Sequence, residues 1–168
     1  MSKHAIIDSV EFAEKSLQIH GRIALLDLER LSDTLFSRDG ELVYSLKGRI
    51  NPQGKPQLDL QVSGKLQLVC QRCLGAMPFD LDAEAHLVLV PNEEAVPVDA
   101  DEQDDVDYIV GNQHQSVASL IEDEVLLSLP LAPVHESDDC AAPINRAQEQ
   151  KESPFKVLQG LKGSGTKS

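Results

Sequence analysis

A chain of 168 residues with 41% apolar and 26% charged side chains is long enough to bury a core. It has the composition of a globular domain, not of a collagen, a coiled coil or a disulfide miniprotein. Acids outnumber Lys plus Arg by 28 to 15, for a net charge of −13, and the excess is segregated: residues 73–145 hold 17 acids and no Lys or Arg, while residues 1–72 and 146–168 carry +1 and +3. No apolar run reaches the length of a membrane span, and Met1 to Glu11 lacks a basic segment leading into an apolar one. The expectation is a soluble cytoplasmic protein with its three Cys reduced.

Asp8 followed by Glu11 fits a capping box that opens a helix over about 9–18, with Val10, Ala13 and Leu17 on one face. Arg22 to Leu25 reads as extended, after which Asp27 can cap a second helix, 27–36, carrying Leu28, Leu31 and Leu35. From Glu41 the period changes to two. Leu42, Tyr44, Leu46 and Ile50 form a first alternating run, and Asn51-Pro52-Gln53-Gly54 supplies a turn. Leu58, Leu60, Val62, Leu66, Leu68 and Cys70 then share one face of a second run. Phe79, Leu81, Ala83, Ala85, Leu87 and Leu89 share one face of a third. Three such runs with short connections predict an antiparallel meander, buried on one side and curled around a helix.

Residues 91–106 are acidic and broken by Pro, and are expected to form an exposed, mobile loop. Asp107 to Val110 reads as a short strand, and a wide-faced helix is expected from about Ser116 to Leu129, stopped by Pro130. Residues 142–168 are read as a flexible basic tail with one small amphipathic segment, 154–161, around Phe155. The expected fold is therefore α+β: a single domain over 1–141 with a curved antiparallel sheet of four to six strands packed on a few helices.

Cys70-Gln71-Arg72-Cys73 lies between two strands and is followed by Leu74-Gly75. A C-x-x-C turn of this kind brings two thiolates to one point, as a zinc knuckle does, and a following Gly lets backbone amides approach sulfur. One knuckle is half a site. His135 and Cys140, spaced H-x4-C after the last expected helix, complete a Cys3His set suited to a structural Zn²⁺. Two other readings of the C-x-x-C stay open. Redox chemistry needs the first Cys at a helix N-terminus, where Gly75 and Pro78 leave no room for one, and Cys70 can be simply a buried small residue.

Other chemistry finds little support. Phosphate-binding loops, dinucleotide fingerprints, nucleophile elbows and H-E-x-x-H zinc motifs are absent from the sequence. Glu122, Asp123 and Glu124 are consecutive on a helix and point about 100° apart, so they cannot converge on one ion; at most one reaches inward. With two Tyr and four Phe there are few rings on which to stack bases. The cations that could meet RNA phosphate are Lys47, Arg49, Lys55, Lys65 and Arg72.

The strings VCQRCLGAMPFDL at 69–81, IEDEVLLSLPLAPVHESDDC at 121–140 and SPFKVLQGLK at 153–162 together resemble the YceD family, the large-ribosomal-RNA-subunit accumulation proteins of bacteria, with relatives in chloroplasts. The likeness runs from LLDLERL at 25–31 to the tail, and the family pattern stands at Cys70, Arg72, Cys73, Glu122, Asp123, Glu124, Pro130, His135 and Cys140. The resemblance implies a role in synthesis, processing or stability of 23S ribosomal RNA and no catalytic reaction. Joined to the charge pattern, it leads to a non-enzymatic ribosome biogenesis factor. Its acidic half would meet a basic ribosomal protein or precursor particle, with Arg72, Lys47, Arg49, Lys65, Glu122, Asp123, Glu124 and Phe155 as partner- or RNA-binding candidates. A direct RNA-binding module with a structural zinc, and a C-x-x-C dithiol oxidoreductase, are the alternatives.

Overall fold

Apolar residues at every second position from Leu58 to Leu68, interrupted only at Gly64, can all be buried at once only if the chain is extended and one side of it is covered. The computed structural model, which describes residues 5–97, 106–136 and 140, is organised around that run. In chain order its elements are β1 (Ile6–Ile7), α1 (Ser9–Glu14), β2 (Gln18–Ala24), two 3₁₀ turns (Leu25–Asp27 and Glu29–Leu31), β3 (Leu35–Ser37), β4 (Glu41–Ile50), β5 (Pro56–Val69), β6 (Ala76–Val90), a 3₁₀ turn (Glu93–Ala95), β7 (Asp107–Val110), β8 (Gln115–Ser116) and α2 (Val117–Ser128).

The main sheet has the order β2-β4-β5-β6-β7, and β3 pairs with β5 beyond the end of β4. It is an open sheet in a mixed α+β fold. The expected meander is β4–β5–β6, antiparallel throughout, with Leu46 opposite Leu60 and Leu60 opposite Ala85. Its first turn closes through the Asn51 side chain, whose Oδ1 accepts from the N–H groups of Gln53 and Lys55 at 3.0 and 2.9 Å, while Gly54 takes φ +78°. β7 departs from the antiparallel expectation: it runs parallel to β6, because the chain returns from the far end of β6 before pairing.

One face of this sheet is covered. Leu42, Leu46, Leu58, Leu60, Val62, Leu66, Leu68, Leu81 and Leu89 lie in the core with Phe12 and Ala13 of α1 and Val117, Leu120, Ile121 and Val125 of α2. The expected cap of α1 is present, with the Asp8 carboxylate accepting from the Glu11 N–H at 3.0 Å. The helix is shorter than expected and ends at Glu14. Ser16 turns the chain at φ 50°, and Leu17 stays 45% exposed instead of joining the core.

The helix expected over 27–36 does not form. Two 3₁₀ turns and β3 stand in its place. Leu25, Leu28 and Leu31, all fully buried, recur at intervals of three. That interval matches the three residues per turn of a 3₁₀ helix and fits an α-helix less well. Leu35 then enters β3 and pairs with Leu68. In the acidic stretch 91–106, residues 93–95 make a 3₁₀ turn and residues 98–105 lie outside the described part of the chain. The tail 142–168, with Phe155 and the 154–161 segment, also lies outside it.

α1 crosses β4 at Gly48. A Cβ there would stand 2.4 Å from the Phe12 carbonyl oxygen and 2.7 Å from Ala13 Cα, both backbone atoms that cannot swing aside. The Gly48 N–H donates to the Leu17 carbonyl at 2.8 Å in the same contact. Gly48→Ala should therefore cost about 1–3 kcal/mol through overpacking. Urea unfolding checks it, and an unchanged midpoint would show that α1 does not lie against β4.

Candidate metal centre

β5 ends at Val69, and the six residues 70–75 reverse the chain into β6. The reversal is held by two backbone bonds, Cys70 N–H to Gly75 carbonyl at 3.0 Å and Leu74 N–H to Cys70 carbonyl at 2.9 Å, with Leu74 in the left-handed region at φ 60°. This curl aims the N–H groups of Arg72 and Cys73 at the Cys70 sulfur and that of Gly75 at the Cys73 sulfur. Cys70 is fully buried, as its place in the β5 alternation predicts, and Cys73 is half-buried.

The second half of the site comes from 65 residues further on. Pro130 follows the end of α2, and the chain after it passes beside the turn, where the Gln71 N–H donates to the Pro133 carbonyl at 2.8 Å. This contact sets His135 against the knuckle. His135 Nδ1 lies 3.6 Å from the Cys73 sulfur and 3.3 Å from the Cys140 sulfur, and Cys140 lies 3.3 Å from Cys70, sulfur to sulfur. All four ligand atoms fall within 4.8 Å of one another. A tetrahedron with metal bonds of about 2.0 Å to nitrogen and 2.3 Å to sulfur has edges of about 3.6–3.8 Å, close to the contacts found.

The orientation of His135 is fixed by its other nitrogen. Nε2 stands 3.0 Å from the Ala76 carbonyl oxygen, which can only accept, so Nε2 carries the proton and Nδ1 faces the three sulfurs. A backbone carbonyl holding the far N–H is the usual support of a metal-ligating histidine.

These groups act on one another's charge. Burial pushes the Cys70 thiol up, but the N–H groups of Cys73, Arg72 and His135 outweigh it and bring it down to about 5. The Arg72 guanidinium lowers the Cys140 thiol against the effect of its burial. Cys73 is raised: the Gly75 N–H lowers it, but Cys140, burial and Cys70 together prevail. Cys140 and the Ala76 carbonyl hold the imidazolium of His135 up to about 9. Three sulfurs and one imidazole are the donor set of a cation that prefers thiolate and imidazole. Four protein ligands leave no open coordination position, which suits a structural metal and gives a substrate no place to bind.

The remaining candidates are distributed elsewhere. Glu122 is the inward-reaching carboxylate of its trio, 8% exposed, and accepts from the Arg30 N–H at 3.0 Å. Asp123 pairs with the Arg30 guanidinium, and Glu124 accepts from the Ser128 hydroxyl at 3.1 Å. The LLDLERL and IEDEVLL strings are thus the two halves of one internal clamp, α2 on the 3₁₀ turns. Lys47, Arg49 and Lys65 do share the outer face of the sheet, yet each sits beside an acid: Lys47 opposite Asp59, Arg49 bonded through Nε to Asp59 at 2.5 Å, Lys65 opposite Asp80. Lys55 lies over the Tyr108 ring at the hairpin end. Arg72 stands within electrostatic reach of the cysteine cluster, close enough to act on Cys140, Cys70 and Cys73. Sequence reasoning missed Asp59 as the hub of the outer face, where it accepts from Arg49, from Gln57 at 2.7 Å and from His86 at 2.8 Å. Only the strand register brings those four together.

A family model described as "Large ribosomal RNA subunit accumulation protein YceD" matches residues 58–162. A curated relative from Haemophilus influenzae, named "Large ribosomal RNA subunit accumulation protein YceD", is 27% identical over 175 residues, covering 93% of this chain and 94% of the relative. No solved structure matches the chain.

Two outcomes follow from the clamp and the hub. Glu122→Ala leaves the Arg30 N–H without its acceptor in a partly buried place and should destabilise by about 1–2 kcal/mol, whereas Glu122→Gln keeps an acceptor and should lose less; chemical denaturation measures both. Burial raises the Asp59 carboxyl, but Arg49, His86 and Gln57 outweigh it, so the folded pKa lies below the ordinary carboxylate value. Its stabilisation is therefore full above the unfolded pKa, near 4, and is lost as pH falls through the folded value. Asp59→Asn should be less stable than the parent at pH 7, and the gap should close as denaturation is repeated towards pH 3.

Proposed function

The chain belongs to the YceD family of large ribosomal RNA subunit accumulation proteins, and on that premise we propose that it is a non-enzymatic, cytoplasmic assembly factor that sustains 23S ribosomal RNA through contact with a basic large-subunit ribosomal protein or the precursor particle carrying it. The observation that supports this choice of partner is the cation-free stretch 73–145. It supplies the acidic outer edge of β6, where Asp80, Asp82 and Glu84 alternate with core residues, and the exposed Glu93 and Glu94 that follow. A surface of this sign attracts polycations and repels a bare phosphate backbone. The outer-face cations point the same way, because Arg49 is bonded to Asp59 and Lys65 stands opposite Asp80, so they are interleaved with acids.

The Cys70, Cys73, His135 and Cys140 cluster enters as a structural Zn²⁺ site that fastens the segment after α2 to the β5–β6 turn. It shapes the surface and performs no reaction. Support comes from the closed donor set and from the Ala76 bond that leaves Nδ1 free.

Sedimentation of cell extract containing tagged full-length protein tests the role. The protein should co-migrate with large-subunit precursors, release from them as salt is raised, and yield a basic large-subunit protein on mass spectrometry of the captured fraction. Retention on naked 23S precursor RNA in a gel shift, with no protein component needed, would instead identify an RNA-binding module and overturn the proposed partner.

A further inference from the structure

One row of side chains crosses the open face of the sheet at its hairpin end. Arg49 on β4 stands opposite Gln57 on β5, Gln57 opposite Val88 on β6, and Val88 opposite Tyr108 on β7. Residues directly opposite share a face. Further along β5 this face meets solvent, with Gln61, Ser63, Lys65 and Gln67 exposed. At the row it does not, and Gln57 and Val88 are each 2% exposed. The row is the floor of a hollow. With residues of the 51–55 turn and Val106 it lines a cavity of about 400 Å³, within the range of about 300–1,000 Å³ in which proteins hold small molecules.

The chemistry of this cavity runs against that of the whole chain. In a protein of net charge −13 its charged lining is Arg49 and Lys55, with His86 beside them, and no carboxylate is among the lining residues. The acids nearby are Asp59, which takes Arg49 Nε at 2.5 Å and His86 Nδ1 at 2.8 Å, and Glu84, 3.8 Å from His86 Nε2. Asp59 thus occupies one donor of Arg49, and the two terminal nitrogens have no partner among the described residues. The Lys55 ammonium has no acid partner there either; it lies 5.6 Å from the centre of the Tyr108 ring. Val88, Val106 and that ring give the same space an apolar wall.

We infer that this cavity binds a small organic phosphate, with its dianionic head on Arg49 and Lys55 and its body against Val88, Val106 and Tyr108. A guanidinium fork and an ammonium are the usual partners of phosphate oxygens, and two cations match a head of two charges better than a carboxylate of one. The ligand is a free molecule and not a length of RNA. Asp80, Asp82 and Glu84 continue along the same face of β6 and repel the further phosphates that a chain would bring. None of these residues belongs to the metal centre, so the site stands or falls separately from it and from the basic-partner reading.

Calorimetric titration of the full-length protein tests the site, with adenosine monophosphate, glucose phosphate and inorganic phosphate as probes. At least one of the two esters should bind, more tightly than inorganic phosphate, which lacks the body, and less tightly as salt is raised. Lys55→Ala should weaken it by about tenfold or more, the loss of one charged hydrogen bond, and Arg49→Gln by a similar factor. Lys65→Ala, on the same face and outside the cavity, should leave it unchanged. If R49Q is not recovered folded, K55A and Lys55→Glu decide, since Lys55 has no ion pair to lose. Failure of both esters to bind at millimolar concentration, or equal binding by parent and K55A, would overturn the site. Equal affinity for inorganic phosphate would overturn the organic ligand. A short oligoribonucleotide with a phosphorylated end that binds more tightly than adenosine monophosphate, and loses the gain in K55A, would overturn the free molecule in favour of an RNA end.

Discussion

Burial on one side only of β5 is the constraint to which the other elements answer. The strand is long, and its core face carries Leu58, Leu60, Val62, Leu66 and Leu68 without a polar interruption. That face must be covered along its whole length, which neither α1 nor α2 can do alone: six and twelve residues span roughly 9 and 18 Å at helical rise, against well over 40 Å for the strand. The two helices and the pair of 3₁₀ turns therefore share the cover. Gly48 is where the first helix comes down to backbone contact with the sheet. Glu122 is where the second is tied to the turns.

The same constraint builds the cysteine cluster. Cys70 is the next residue in the alternation after Leu68, so it points into the core just as the strand runs out. The turn that follows keeps the chain's polar groups engaged by folding its own amides around sulfur. α2 lies along β5 and β6, and its end delivers the 130–135 segment to that turn. The metal centre is thus a seam between the end of the central strand and the end of the last described helix, and its location follows from how the core is covered.

Charge is arranged by the opposite rule. Polar residues of β4, β5 and β6 fall on the open face, where cations from the first half of the chain meet acids from β5 and β6 across strands. Asp82 and Glu84 of β6 stand opposite Ser63 and Gln61, with no cation across from them. This fits a protein whose partner is basic, and the interleaving explains why cations that look like one phosphate-binding patch when counted along the sequence are not gathered into one on the sheet.

Much was determined by the sequence alone. The meander was readable from its period of two, because strand burial is set by alternation within a single segment. The Asp8 cap and the Asn51 turn were readable for the same reason: each depends on neighbours a few residues away. The cysteine and histidine set was readable as a chemical inventory, since few residue types bind metal through sulfur and imidazole. Other features needed the third dimension. Leucines at 25, 28 and 31 are compatible with either helix type until something fixes the backbone, and here Glu122 at 92 residues' remove accepts from the Arg30 N–H. The parallel placement of β7, the hub at Asp59 and the Ala76 bond that turns His135 Nδ1 toward the sulfurs all join segments distant along the chain. Local pattern fixes which side of a segment is buried; which distant group it then meets depends on how whole elements pack, and only the folded chain decides that.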